Sequence, residues 1–404
     1  MHHTTFMKSA AAAALLSAFA SAASAGGFQL TEQSALSLGR AYAGVGVDGT
    51  DVSGVYYNPA TMTLHKGTQF QGGIVGVGLN LDYASDKGDA YDNNGRAKDE
   101  VVPHLYLSKQ INDSTWFGLA FTVPFGLSTE YGSSWEQAAD GTDASIKVFD
   151  LNPNMGWKVN DWLSLGAGVS IQYVTADLGF NYGPKIGNVG VKVDGIAWGW
   201  NVGMMVRPVE NVRIGLSYRS AVGHDTEGDL STALGAYDAN ISMDAPAWAM
   251  LSAAWDVNSW LSLYSTFRWA DWSSFQNLTI ESPALIAMTG SNTKSIPKNW
   301  DDTYLLTVGY DARISDFWTL RGGIGYETST VSDPTLRTGT IPDADRWWFA
   351  IGSSFHWSKN FQTDVAFAHL HGVHERKLYS GNQKIGDFRQ LDAYLLGIQA
   401  QYRF

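Results

Sequence analysis

Across 404 residues the chain carries 43 Gly, 16 Trp and 18 Tyr, no Cys, 16% charged residues and a net charge of −12. That acidity argues against nucleic acid as a partner, and without cysteine nothing is stapled by disulfides, so stability rests on backbone pairing and packing. Past residue 25 there is no run of the roughly eighteen apolar residues that a membrane helix needs, which leaves a soluble exported β protein or a membrane β-barrel.

In chain order, Lys8 is followed by an Ala-rich apolar run over 10–23 and by Ala23-Ser24-Ala25, an A-x-A cleavage pattern. This predicts a signal peptide at 1–25, too short for a membrane helix, with Gly26 opening the mature chain. Residues 26–68 are too irregular for a barrel strand and too apolar for a free tail. Gly27-Phe28-Gln29-Leu30 precedes a small-residue, helix-like stretch at 33–43, a glycine-rich turn at 44–49 and Tyr56-Tyr57-Asn58-Pro59-Ala60. Such a segment is expected to fold back as a plug inside a barrel built from 69–404.

The rest of the chain repeats one turn. It occurs as Ile111-Asn112-Asp113-Ser114, Val159-Asn160-Asp161-Trp162, Val209-Glu210-Asn211-Val212, Val257-Asn258-Ser259-Trp260, Ile314-Ser315-Asp316-Phe317 and Trp357-Ser358-Lys359-Asn360. Asn, Asp and Ser favour tight turns because their side chains bond nearby backbone. Flanking residues alternate with period two, as in Leu261, Leu263, Phe267 and Trp269 against Ser262, Tyr264, Thr266 and Arg268, so each copy reads as a hairpin. Between the short turns lie longer polar segments at 85–100, 132–144, 180–190, 225–239, 282–301, 331–344 and 377–387. Six short turns alternating with seven long connections require fourteen antiparallel strands. A soluble sandwich would alternate too, but the asymmetry of connections is that of an outer-membrane barrel.

Trp116, Trp162, Trp260, Trp318 and Trp357 sit beside the turns, as an interfacial aromatic belt requires. The last strand ends in Tyr402 and Phe404, a terminal aromatic pattern that resembles the signal read by the outer-membrane assembly machinery. The fold expected is therefore all-β: a transmembrane β-barrel of fourteen strands around a small N-terminal plug.

The start Gly-Phe-Gln-Leu, the run Leu38-Gly39-Arg40-Ala41-Tyr42-Ala43-Gly44 and the triplet Asn58-Pro59-Ala60 resemble the FadL-type long-chain fatty acid transporters of Gram-negative outer membranes. So do Leu216-Ser217-Tyr218-Arg219-Ser220 and Ile341-Pro342-Asp343-Ala344-Asp345-Arg346. The resemblance implies passive uptake of hydrophobic molecules without a TonB-type energy input, through a barrel closed by a small hatch. It implies that Phe28 and Leu30 line the ligand site, with Gly27, Gln29, Asn58, Pro59 and Ala60 forming the gate. It also implies a kinked third strand that opens the wall laterally, placed at 117–126 on Phe117, Gly118, Pro124, Phe125 and Gly126. Pro there removes a ladder donor, and Gly marks a bulge.

By strand parity Arg213, Arg219, Arg268, Arg321 and Arg346 face the lumen, and Arg219 and Arg268 lie far enough from the turns to meet a carboxylate head; the alternative is that such arginines pair with plug or wall carboxylates. The family's long apolar third external loop is replaced by a short polar one at 180–190, which puts an outer capture groove in doubt and suits relatives that take up aromatic hydrocarbons. The expected partners are a hydrophobic ligand, outer-membrane lipid and the assembly machinery, around a monomer with no cofactor.

Other signals are set aside. Gly44-Val45-Gly46-Val47-Asp48-Gly49 matches GxGxxG but lacks the surrounding strand and helix of a nucleotide site. His369, His371, His374 and Glu375 lie at a strand top, and no metal site is assigned to them. No GxSxG occurs, and no nucleophile–base pair suggests an enzyme. A general diffusion porin remains the rival reading, opposed by the apolar plug.

Overall fold

The computed structural model describes residues 26–404 except 93–95, 98, 134, 287–289 and 375, so the proposed signal peptide and Glu375 lie outside the described residues. The chain winds into fourteen long antiparallel strands. They are β1 (Thr68–Ser85), β2 (Glu100–Gln110), β3 (Thr115–Glu130), β4 (Asp143–Lys158), β5 (Leu163–Asn181) and β6 (Asn188–Val209). Four follow in two pieces each: β7 (Val212–Arg219, Val222–Thr232), β8 (Gly235–Ala245, Trp248–Asp256), β9 (Leu261–Ala270, Asn277–Glu281) and β10 (Thr293–Pro297, Thr303–Arg313). β11 (Trp318–Glu327), β12 (Arg346–His356), β13 (Phe361–Gly372) and β14 (Gln383–Arg403) complete the wall. β1 pairs with β14 from Gln69 opposite Arg403 to Ser85 opposite Gly386, and with β2 on its other side. The sheet thus closes on itself through the β1–β14 seam, the condition for a sheet in a bilayer.

Alternation sets the two surfaces. Trp198, Trp200, Leu306, Leu396 and Ile398 are exposed on the outside, while their neighbours along each strand are buried. Two of the segments read as loops, 225–239 and 377–387, are in fact hairpins paired through most of their length, and a third, 180–190, is strand at both ends around a turn at 182–187. Residues 225–239 form most of the β7–β8 hairpin, which turns at 233–234, and β5 and β6 run to Asn181 and Asn188 across 180–190. Beyond the lipid the outer face meets water, so it needs no apolar alternation although backbone pairing continues. That is why a polar sequence there looked like loop.

The segment before β1 lies inside the cylinder. Ser34 caps a short helix, α1 (Ala35–Leu38), and a second, α2 (Gly54–Tyr57), leads into a 3-10 turn at Pro59–Leu64. Helices this short are marginal alone, and wall side chains supply their missing partners. Gln399 Oε1 accepts from Ala35 N at 2.8 Å, Arg40 pairs with Asp48 and with Asp311 of β10, and Asn58 Nδ2 donates to Gly46 O and Met204 O. Wall glycines make the room: a Cβ on Gly166 would stand 2.6 Å from Ala60 N, and one on Gly352 would stand 2.8 Å from Gly39 Cα. Gly166→Val is therefore expected to dislodge the Asn58-Pro59-Ala60 turn and raise conductance in planar bilayers. Gly190→Val, whose Cβ meets open space, should leave conductance as it is.

Candidate functional site

The site is built where the N-terminal segment meets a fault in the wall. β2 and β3 pair regularly from Gln110 opposite Trp116 to Leu105 opposite Phe121, and there their ladder stops. Among the described residues only Arg96–Ala97 rejoins β3, opposite Glu130 and Thr129. Against β4 the register shifts by one residue between Thr122 and Phe125, a bulge centred on Val123-Pro124. Residues 122–129 of β3 are all buried, although alternate ones on a wall strand would face lipid. β3 has turned inward.

Buried backbone groups must find partners, and here residues 28–33 supply them. Leu30 N donates to Pro124 O at 2.8 Å and Gly126 N donates to Phe28 O at 2.9 Å, around a bridge between Gln29 and Phe125. Gln33 holds Val123 from both sides: its Nε2 donates to Val123 O at 2.6 Å, and Val123 N donates to its Oε1 at 3.2 Å. The N-terminal segment takes the place of the neighbour that β3 has lost.

Phe28 is completely buried in a box of aromatic rings, with centroids 4.8 Å from Trp272 and 5.9 Å from Phe125, Phe275 and Trp300. Gly27 is required beside it. Its φ is +70°, and a Cβ would meet the Trp300 ring at 2.5 Å. One contiguous apolar cluster runs from this box through Leu278, Ile146, Leu178 and Phe180 toward the end bearing the long connections. A cavity of about 200 Å³ opens there, lined by these side chains together with Ile296, Lys294 and Lys298. Lys298 lies between the two pieces of β10 and is buried, its Nζ donating to Thr338 Oγ1 at 3.3 Å. Burial lowers its pKa to about 8, against a weaker opposite pull from Asp140. Lys294 donates to the Tyr182 hydroxyl and stands 4.5 Å from the centre of the Phe180 ring.

The sequence-derived residues divide. Gly27, Phe28, Gln29 and Leu30 meet Pro124, Phe125 and Gly126 at the fault. Asn58, Pro59 and Ala60 lie apart, anchoring the segment against β5 and β6. Phe117 and Gly118 require correction. They pair with Lys109 and Ser108 in the unbroken ladder, Phe117 facing outward and Gly118 lying against Val55 and Met62. The fault begins later because β3 keeps its ladder donors up to Phe121, and Pro124 is the first residue that has none.

All five lumen arginines lie in carboxylate pairs: Arg213 with Asp256, Arg219 with Asp150, Arg268 with Glu327, Arg321 with Asp311 and Asp364, and Arg346 with Asp343. Arg219 is the most enclosed of the two singled out. Its guanidinium also donates to Ser170 Oγ, Asn152 Oδ1 and Tyr56 O, and lies 4.2 Å over the Tyr56 ring. Arg268 donates to Glu327 and to Thr31 Oγ1, three residues past Phe28 in the segment. Arg219→Met is expected to destabilise the barrel by about 3–5 kcal/mol, because Asp150 is left buried and uncompensated. Urea unfolding of the detergent-folded protein measures this.

Sequence reasoning missed Trp272, Phe275, Trp300, Lys294, Lys298 and Gln33. The one available signal was a tryptophan, Trp300, within a segment read as polar loop.

Residues 16–404 match the family described as "Outer membrane protein transport protein (OMPP1/FadL/TodX)". The "Long-chain fatty acid transport protein" of Salmonella typhi is 28% identical over 409 residues, covering 91% of this chain and 92% of the relative. "Outer membrane protein P1" of Haemophilus influenzae is 27% identical over 470 residues, covering 99% of both. Among solved structures, a Pseudomonas aeruginosa FadL homologue superposes with a TM-score of 0.84 at 24% identity, over 94% of this chain and all of the other. The Pseudomonas putida toluene transporter TodX gives 0.72 at 17%, over 93% and 99%. These structural matches carry the fold. With the family match spanning nearly its whole length, the chain belongs to the OMPP1/FadL/TodX outer-membrane transport family and is a multi-pass β-barrel of the Gram-negative outer membrane.

Proposed function

We propose that the protein carries hydrophobic molecules, foremost long-chain fatty acids, passively across the outer membrane and releases them sideways through the β3 fault. The observation that carries this reading is that the fault and the aromatic box are held by the same residues, 28–33. Each buried CH₂ contributes about 0.8 kcal/mol, so a sixteen-carbon chain gains up to roughly 10 kcal/mol on leaving water. Exit into periplasmic water would forfeit that gain; exit into lipid keeps it. The mouth cavity of about 200 Å³ is small beside the ~300–1,000 Å³ of typical ligand pockets. A long acyl chain therefore enters by displacing Phe28, which also withdraws Leu30 and Gln33 from β3. Gly27 and Gln29 move with it, while Asn58, Pro59 and Ala60 keep the rest of the segment anchored.

Lys298 and Lys294 take the head-group role in place of Arg219 and Arg268, since both arginines are engaged by carboxylates. Two cations favour an acid over a neutral aromatic hydrocarbon, the substrate class in the name of the toluene transporter TodX. The reading is one of transport rather than catalysis, by a monomer in contact with outer-membrane lipid and inserted by the assembly machinery. Uptake of labelled oleate and of labelled toluene by a host lacking its own transporter tests it. Oleate uptake above the empty host is expected; toluene uptake alone would shift the substrate, and a large steady ion current with neither would make the protein a porin.

A further inference from the structure

Two imidazoles and a carboxylate converge on the outside of the barrel, far from the lumen site. His369 and His371 lie two residues apart on one face of β13, and Asp392 of β14 stands directly opposite His371. His371 Nδ1 is 3.0 Å from Asp392 Oδ1, and His369 Nε2 is 3.4 Å from Asp392 Oδ2. The three ligand atoms all lie within 4.8 Å of one another, and no other set of three such side chains does so among the described residues.

We propose that this trio binds a divalent transition-metal ion of the Zn²⁺ class. Zn–N and Zn–O arms of about 2.1 Å place neighbouring ligand atoms of a tetrahedron about 3.4 Å apart. Each imidazole already stands near that distance from its own oxygen of Asp392, 3.0 Å to Oδ1 and 3.4 Å to Oδ2, and small rotations of the carboxylate and of a partly exposed imidazole bring one oxygen and both nitrogens onto a single ion. Orientation is prepared on both sides. The Tyr394 ring stacks on His369 at 4.7 Å and 8°, and Gly372 N donates to Asp392 Oδ1 at 3.2 Å. Two imidazoles and one carboxylate select Zn²⁺, Co²⁺ or Ni²⁺ over Mg²⁺ and Ca²⁺, which favour oxygen-only shells. Position fits as well. Phe367 and Leu396 of the apolar belt lie on the membrane side and the long connections on the other, so the fourth coordination position opens outward to water near the external lipid boundary. There the ion would tie β13 to β14.

The test uses the tag-free mature barrel, folded in detergent and stripped with chelator. Titration calorimetry with Zn²⁺ is expected to give one ion per barrel, and Co²⁺ a visible d–d band. His371→Ala and His369→Ala should each weaken binding by more than the roughly 10–100-fold that loss of an outer-shell partner costs. Heat-modifiable migration on gels confirms that each variant still holds the barrel, as substitutions on the outer surface should. Absence of stoichiometric Zn²⁺, equal competition by Mg²⁺, or unchanged binding in the His369→Ala/His371→Ala double variant would overturn the site.

Discussion

Removing residues 26–30 is expected to abolish uptake of labelled oleate while leaving a barrel that still migrates as folded on gels. The barrel wall needs none of these residues for its ladders, which close through β1 and β14. The proposed transport route, by contrast, depends on them. Phe28 fills the aromatic box, and the backbone of residues 28–30 completes the hydrogen bonding of β3 beside the fault. Phe28→Ala is the milder form of the same experiment. A buried Phe→Ala change costs about 3–5 kcal/mol, and here the loss falls on docking of the segment rather than on the wall. Ligand retention should drop and amide exchange at 28–33 should rise, with wall exchange unchanged. Wild-type uptake by the deletion variant would remove the N-terminal residues from the mechanism.

The second large effect concerns charge at the mouth. At pH 7 Lys298 is mostly protonated and attracts a carboxylate; as pH rises through its pKa of about 8 the charge is lost. Oleate affinity should therefore fall between pH 7 and pH 9.5. A hydrogen bond to a charged group contributes about 1.5–3 kcal/mol, equivalent to roughly 10- to 100-fold in affinity. Lys298→Met should show that loss already at pH 7 and should flatten the pH profile. Stability runs the other way. The ordinary lysine value of 10.5 applies to the unfolded chain, so between about pH 8 and 10.5 the unfolded state binds more protons. This residue's contribution to folding stability consequently rises with pH across that window, and the burial penalty on its ammonium is greatest below it. Opposite slopes for binding and for stability, both absent in Lys298→Met, separate this lysine from any other titrating group.

Much of the architecture was legible in the sequence because a barrel in lipid repeats one local rule. Turn chemistry at 111–114, 159–162 and four later sites, together with period-two alternation, fixed the strand count and which face of each strand meets lipid. Pro124 and Gly126 stood out for similarly local reasons, a missing donor and a residue without Cβ, whereas Phe28 was marked only by the resemblance of the segment's start to the family. Alternation failed at 225–239 and 377–387, where no lipid enforces it although pairing persists.

What the sequence could not supply were partners brought from distant positions by closure of the cylinder. Parity put Arg219 in the lumen, but only the folded barrel set Asp150 beside it, 69 residues away in the chain, and turned a candidate ligand contact into a closed ion pair. Trp272, Phe275 and Trp300 became a box around Phe28 for the same reason, and Asp392 met His371 only across β13 and β14. Side-chain period and turn chemistry act between near neighbours and can be read along one chain. Charge pairing, desolvation and aromatic contact act through space, and their outcome waits for the tertiary fold.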